Sequence, residues 1–505
     1  MSKYDSFELD LDRSKLAFSK FYASEDSVRA ADFRLRHGIK GLVITSPLHS
    51  IFHACRAKID RILGHFSWDE VYRYTSFGPG ASVDVPRRRS DAFNKYGKSK
   101  PSVTPASLDL AVAALRSNPL WSDYHRSISG EDPYKWFTIV RGNKVVTVPK
   151  SAKIDRVIAI EPMMNMYIQK GIGSVLRRRL STAGCDLNDQ TINQRLCRAG
   201  SSSGMLATID LSSASDTISH AWIADMLPAR WLEAIELTRS PYGTMPDGTE
   251  LLYRKVSSMG NGFTFELESL FFLCLVRATL DYMGFSGSPH SVYGDDIVVP
   301  VSAVPLLKEV FEFVGFSFND KKSFSSGWFR ESCGKHYFSG SDVTPFYIRK
   351  KIVGVERLVW LANSIRAFSH RMVGQGYGCD RRLEGLWNDV CSMIPSKLRD
   401  KIRGPLLIND QQSDTCLGST FDEASPVRER FGLDGYVFGS LRRRYVTKLH
   451  DSIPSMIRWF DYHRDYERPL GRVSMTQYPS ESYRLVVSRQ SVRRWQDCGP
   501  WLEWL

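Results

Sequence analysis

The chain has 505 residues, of which 42% are hydrophobic and 24% charged, and it carries a formal net charge of +13. That length exceeds a single ordinary core, so two or three subdomains are expected, and the composition excludes a disordered or low-complexity protein. The positive field favours polyanionic partners, nucleic acid ahead of an anionic membrane.

The opening MSKYDSFELDLDRSK has early acids and no apolar core, so no signal peptide is expected. Nine cysteines are scattered singly without a CxxC pair, which argues against a zinc knuckle or a disulfide scaffold and for reduced thiols in a cytosol. Phe77 to Pro105 is a loop-like section rich in Pro, Gly, Ser and Arg. Further on, VPKSAKIDRVI sets Lys150, Lys153 and Arg156 three residues apart, either as a phosphate-binding set or as a solvated basic face. Arg177, Arg178 and Arg179 read as a solvated run or a nucleic-acid contact.

From about 200 to 350 the texture turns to short apolar strands, Gly-rich turns and one long apolar helix. In MLATIDLSSASD the strand ends at Asp210, and a helix is expected to begin near Asp216, which could simply cap it. SSMGNGFTFELESL gives a Gly-rich turn around Gly260, Asn261 and Gly262 leading into a helix. The apolar stretch Leu267 to Leu280 carries Glu268 and Arg277 and is too short to span a bilayer, so it reads as a buried helix. In SVYGDDIVV two β-type runs flank Gly294-Asp295, a hairpin with its acids at the tip.

Lys321 and Lys322 follow in NDKKS, and Cys333 with His336 in FRESCGKHYF; without two further ligands at metal-like spacing the latter pair reads as packing. From about 351 helical patterns such as GVERLVWLANSIRAF dominate. The last third interleaves cations and rings, with Arg442, Arg443 and Arg444, then Arg458 to Arg468, then Arg493, Arg494 and Trp495. Such mixtures suit single-stranded RNA, and equally a duplex-facing or protein-facing surface. Trp501, Trp504 and Leu505 either pack internally or wedge beside a base pair.

A lone Gly-Asp-Asp is most often a solvated turn. Asp210 at a second strand end changes that, because three carboxylates on neighbouring strand ends repel one another unless something divalent lies between them. The arrangement predicts a two-metal site for in-line phosphoryl chemistry, with ions about 3.5 to 4 Å apart.

Asp210 with its DxxxxxD spacing, the glycines of 257–270 and Tyr293-Gly294-Asp295-Asp296 stand in the order of polymerase motifs A, B and C. Over about 145 to 350 the chain resembles the catalytic replicase subunits of the small positive-strand RNA bacteriophages, the leviviruses. The resemblance implies an α+β right-hand polymerase: fingers over 1–200 with an insertion at 218–255, palm over 201–217 and 256–350 with an antiparallel sheet carrying the catalytic acids, and a mostly helical thumb and C-terminal region over 351–505. It implies an RNA-directed RNA polymerase that starts without a primer and uses two magnesium ions, replaceable by manganese. The implied metal ligands are Asp210, Asp295 and Asp296 with the Leu211 carbonyl. Lys150, Lys153 and Arg156 would contact the triphosphate, and Asp216 the ribose 2′-hydroxyl, with Gly260, Asn261 and Gly262 beside the nucleotide. In better-known animal-virus relatives an Asn downstream of the motif B glycines shares the ribose task; here Glu266 and Glu268 occupy that region. Lys321 or Lys322, at the place of motif D, would protonate pyrophosphate, with Lys322 taken as the general acid. The implied partners are RNA template and product, ribonucleoside triphosphates, host elongation factors Tu and Ts and a host ribosomal protein, in the cytoplasm of an infected bacterium and with no membrane.

Two other readings compete. A reverse transcriptase also has a carboxylate pair in a palm hairpin, but Asp216 and the motif B match favour ribonucleotides. A non-enzymatic RNA-binding protein would need only the charge.

Overall fold

The computed structural model describes residues 11–41, 47–348, 351–373, 377–404, 414–419, 427–428, 436–445, 453–463, 483–492 and 503–505. Arg464, Arg468, Arg493, Arg494, Trp495 and Trp501 of the basic and aromatic reading lie outside them. The chain divides into two compact units. One is Leu9–Gly340 with Lys448–Pro479; the other is Met1–Glu8, Ser341–Thr447 and Ser480–Leu505.

The larger unit begins with two helices, α1 (Arg13–Gly41) and α2 (Pro47–Leu63). A hairpin of β1 (Gly142–Pro149) and β2 (Asp155–Ile160) precedes α3 (Met163–Thr182) and α4 (Thr191–Ser203). Then come β3 (Leu206–Ser212), β4 (Tyr242–Thr244), β5 (Glu250–Leu252) and the central helix α5 (Thr264–Tyr282). After it run β6 (Ser291–Tyr293), β7 (Asp296–Pro300), α6 (Val304–Val314), β8 (Ser317–Phe318), β9 (Phe329–Ser332) and β10 (Lys335–Phe338).

Two four-stranded sheets organise this unit. In one, β1 pairs antiparallel with β2 and parallel with β4, which pairs in turn with β5. The other has the order β8-β3-β7-β6 and is antiparallel throughout. Ile297, Val298 and Val299 of β7 are all buried, as expected of a strand covered on both faces. α5 covers the sheet because it is apolar nearly all round, and it packs against α2, α3 and α6. α6 shows the opposite pattern: it buries Leu307, Val310, Phe311 and Val314 along one stripe and ends at Gly315, whose φ of 102° stops the helix. Phe271, Phe272, Phe311 and Trp222 lie in one continuous core, each contributing about 1.5–3 kcal/mol by burial. Among the described residues no helix is long and apolar enough to cross a membrane.

The expected helix start near Asp216 is corrected. Ser213 takes a left-handed φ of 54°, which breaks the strand into a short 3-10 turn over Ala214–Asp216. The α-helix starts only at His220, where the Ser219 hydroxyl caps the Trp222 N–H.

In the smaller unit α7 (Val355–Val373) and α8 (Glu384–Ser392) share a core with Leu417 and Leu441. β11 (Tyr436–Tyr445) pairs along its whole length with β12 (Tyr483–Val492). Trp504 packs internally there, its ring 5.9 Å from that of Trp387 and both within cation–π reach of buried Arg366. Between those two strands in sequence, α9 (Ile453–His463) belongs to the larger unit. Its buried Asp461 accepts from Asn118 Nδ2 at 2.7 Å and from the Tyr167 hydroxyl at 2.5 Å.

Candidate active site

Gly294 and Asp295 form the two-residue turn between β6 and β7, with Tyr293 opposite Asp296. Gly294 has φ 58° and its N–H donates to Ser269 Oγ at 3.1 Å; a Cβ there would collide with the Phe265 ring. The turn is thereby seated on α5. Across the sheet, Asp210 of β3 is the register partner of Asp296. Residues eighty-odd positions apart in sequence thus bring Asp210, Asp295 and Asp296 to one end of one sheet.

Their surroundings set their charge. Asn319 Nδ2 donates to Asp210 Oδ2 at 2.7 Å, and Lys322 Nζ lies 3.2 Å from Oδ1. The Ser323 hydroxyl and the Asn319 N–H both donate to the Asp210 carbonyl. Among the described residues no lysine or arginine forms an ion pair with Asp296. Burial, then the neighbouring Asp295 charge, pushes its carboxyl up to about 6, although the Cys333 N–H opposes the shift. Asp295 is raised as well, by burial and then by Asp210. Lys322 remains protonated against its own desolvation because Asp210 raises it. Lys321 is exposed, and Lys322 alone of the pair touches Asp210. Leu211 is buried, paired with Phe318 of β8.

Asp216 lies on the 3-10 turn after β3 and forms an ion pair with Lys255 at 2.8 Å. Beside it Ser215 donates to Glu268 Oε2 at 3.0 Å. Glu268 is buried, and burial followed by the Asp295 charge raises its carboxyl well above the usual range. Glu266 is instead gripped by Arg177 Nε and Nη2 at 2.9 and 2.6 Å.

The glycine-rich loop is held by protein. Gly260 has φ 117°, and a Cβ there would strike the Ala159 carbonyl of β2; at Gly262 it would lie 2.8 Å from Gln169 Cβ and 2.9 Å from the Lys170 nitrogen. The Gly262 N–H donates to Gln169 Oε1 at 3.1 Å. The close approach these glycines permit is therefore to β2 and α3 themselves. Asn261 caps its own loop, accepting from the Phe263 N–H at 3.2 Å.

Lys150 and Lys153 lie in the β1–β2 loop and Arg156 on β2 opposite Val148, all three exposed. Desolvation, then the Arg156, Lys322 and Lys20 charges, lowers the Lys150 ammonium, while Asp210 acts in the other direction; the hairpin tip thus shares its field with the aspartates. The Arg177–Arg179 run is only in part a solvated face: Arg178 is exposed, while Arg177 and Arg179 are partly buried in ion pairs. Arg177 holds Glu266, Arg178 lies over the Tyr74 ring and Arg179 pairs with Glu70 at 2.8 Å, because successive helical positions face three different neighbours. His336 pairs with Glu331 at 3.4 Å, and Cys333 forms the β9–β10 turn beside Asp296. In the smaller unit Arg442, Arg443 and Arg444 are all exposed; Arg443 is bound to Glu356 and Asp414, and Arg442 and Arg444 lie on the alternate face of β11.

Among the described residues no three His, Cys, Asp or Glu side chains already converge as a metal cluster. The donor set nevertheless suits magnesium. It consists of carboxylate oxygens, hard donors whose mutual repulsion one ammonium only partly offsets.

A family model described as RNA replicase, beta-chain matches residues 1–460. The chain belongs to that family. Among its relatives, the RNA-directed RNA polymerase subunit beta of Escherichia virus Qbeta is 45% identical over 401 residues, 79% of this chain and 64% of that protein. The subunit beta of Qbeta virus (strain MX1) is 43% identical over 86% of this chain and 70% of its own. The beta chain of Enterobacteria phage GA is 37% identical over 87% and 80%. The chain therefore spans less than two thirds of the Escherichia virus Qbeta protein. A solved chain titled RdRp complex aligns over 69% of this chain and 33% of its own at 12% identity and a TM-score of 0.41, too slight a likeness to define a shared fold.

Within this replicase beta-chain, sequence reasoning gave no role to Asn319 or Lys255, and named Glu268 only as standing where relatives carry an Asn. Asn319 stood inside the quoted NDKKS, next to the lysines, and no local pattern marks it, since β8 is only two residues long. Nothing local marks Lys255 as buried.

Proposed function

We propose that the chain is the catalytic subunit of a phage replicase, an RNA-directed RNA polymerase that extends RNA by one nucleotide at a time and initiates without a primer. The observation that carries this is the register pairing of Asp210 with Asp296, with Asp295 in the adjoining turn. Family membership supports the same activity. The sheet β8-β3-β7-β6 with α5 and α6 would be the palm, the β1–β2 hairpin part of the fingers, and residues 351–505 the thumb and C-terminal region, apart from α9.

Asp210, Asp295 and Asp296, with the Leu211 carbonyl, would hold two magnesium or manganese ions. When bound, such ions supply an activated 3′-hydroxyl and a neutralised pyrophosphate leaving group. The remaining work falls to side chains. Lys150, Lys153 and Arg156 would bind the triphosphate, Arg156 by a planar bidentate grip. Asp216 would accept from the ribose 2′-hydroxyl. Lys322, already protonated beside Asp210, would hold the proton that the leaving pyrophosphate takes up. Gly260, Asn261 and Gly262 would shape the nucleotide's neighbourhood through the loop they form, and Arg442 and Arg444 would bind RNA phosphates.

The relatives' designation as subunit beta supports a multi-subunit enzyme. Host elongation factors Tu and Ts and a ribosomal protein are proposed partners, in the cytoplasm of the infected bacterium. The test is nucleotide incorporation on an RNA template by the chain purified with whatever accompanies it from its host. Ribonucleotides should be incorporated with magnesium, and Asp295→Asn should abolish synthesis while RNA is still retained on a filter. Preference for deoxyribonucleotides, or synthesis by Asp295→Asn, would overturn the proposal.

A further inference from the structure

Lys255 is a charged residue that the proposed chemistry does not use. Its side chain is 0% exposed, and its backbone bridges Ser219 just before the glycine-rich loop. The ammonium lies 2.8 Å from Asp216 Oδ1 and 3.6 Å from Glu25 Oε1 of α1. The Phe21 ring centroid is 3.5 Å away and that of Tyr253 5.5 Å. A lysine removed from water is costly unless paired, and here two carboxylates and two ring faces compensate it. Glu25 is itself fixed, its Oε2 accepting from the Arg254 N–H at 2.8 Å. Full burial excludes a nucleophilic role for the amine, since no substrate carbon can reach it.

Asp216 is the exposed end of this arrangement, its side chain 18% accessible. A carboxylate on a short turn rotates about χ1, and a hydrogen bond to a sugar hydroxyl discriminates only if the acceptor is already in place. We propose that Lys255 is a positioning residue for sugar selection: it clamps Oδ1 of Asp216 so that Oδ2 is presented to the 2′-hydroxyl of the incoming nucleotide, with Glu25 anchoring the ammonium from α1. This rests on the ribose role of Asp216. It makes the N-terminal helix a contributor to the choice between ribo- and deoxyribonucleotides, from a segment that touches neither.

The test compares kcat/KM for ATP with that for 2′-deoxyATP, and the two equilibrium Kd values by competition against a fluorescent nucleotide, in the full chain with its co-purifying partners. Lys255→Met should lower the ribo-to-deoxy ratio by about tenfold, the loss falling on KM for the ribonucleotide. If that variant does not fold, Glu25→Gln with Lys255→Met, which leaves no buried carboxylate on the α1 side, should show the same fall. Asp216→Ala separates the two ideas. An unchanged ratio in that variant removes the ribose role of Asp216, and the positioning role with it. A lowered ratio in Asp216→Ala, alongside Lys255 variants that melt lower yet keep the parental ratio, leaves Lys255 a packing residue and overturns the inference alone.

Discussion

Asp210 and Asp296 oppose each other across the β3–β7 ladder, with Asp295 one residue away in the turn. Burial and mutual repulsion raise the carboxyls of Asp295 and Asp296, so carrying charge in this space costs stability. Asp296→Asn should therefore melt higher than the parent in EDTA, by about 1 kcal/mol of stability. Magnesium should raise the melting temperature of the parent and leave that of the variant nearly fixed. Equal magnesium shifts in differential scanning calorimetry would contradict the ligand role.

The two adjacent lysines should separate cleanly. Lys322→Ala removes the ammonium at Asp210 and should slow incorporation roughly tenfold to a hundredfold. Lys321→Ala should change it less than about twofold. Single-turnover kinetics with saturating nucleotide would reveal a reversed order.

Gly260→Ala should destabilise the larger unit by about 2 to 4 kcal/mol, because the new methyl meets a backbone carbonyl at a φ that side chains avoid. Urea unfolding measures it. A loss of activity with no loss of stability would point instead to contact with the nucleotide.

His125 gives the protein an acid-sensitive core. The imidazole is fully buried among the rings of Trp121, Tyr124 and Trp136, and burial lowers it to about 4, a carbonyl contact at Ser99 opposing the shift. An imidazole the fold keeps neutral binds its proton more readily when unfolded. Its contribution is complete above the unfolded value near 6.5 and is lost as pH falls from there toward 4, by about 3 kcal/mol. His125→Phe should flatten the stability profile in that window, as urea midpoints at pH 4.5, 5.5 and 7 would record.

On β11 the arginines should behave differently by face. Arg443→Ala breaks contacts to Glu356 and Asp414 and should lower stability. Arg442→Ala and Arg444→Ala should spare stability and each reduce the salt slope of RNA binding by about one. Filter binding across a salt series distinguishes them.

What could be read from the sequence was whatever is written locally. The hairpin of SVYGDDIVV follows from two β-branched runs around a glycine, and the buried helix α5 from an apolar stretch too long for a strand. Asp210 was legible as a strand end carrying a charge. What escaped depends on distant partners. The pairing of Lys255 with Glu25 joins segments with no shared pattern, and each residue alone looks like a surface charge. Arg177 and Arg443 likewise look free in sequence and are tied down in space. The turn at Ser213 was missed because a left-handed serine has no sequence signature of the kind glycine provides.

Through α9 the C-terminal third of the sequence contributes a helix to the larger unit. Asp461 plugs a polar hole made by Asn118 and Tyr167, then the backbone leaves again to supply β12. A stop codon placed after β11 would remove the acceptor of Asn118 and Tyr167 together with the strand that pairs with β11. Deleting the C-terminal part of the smaller unit would mean excising Ser341–Thr447 and Ser480–Leu505 while keeping α9 between them in place.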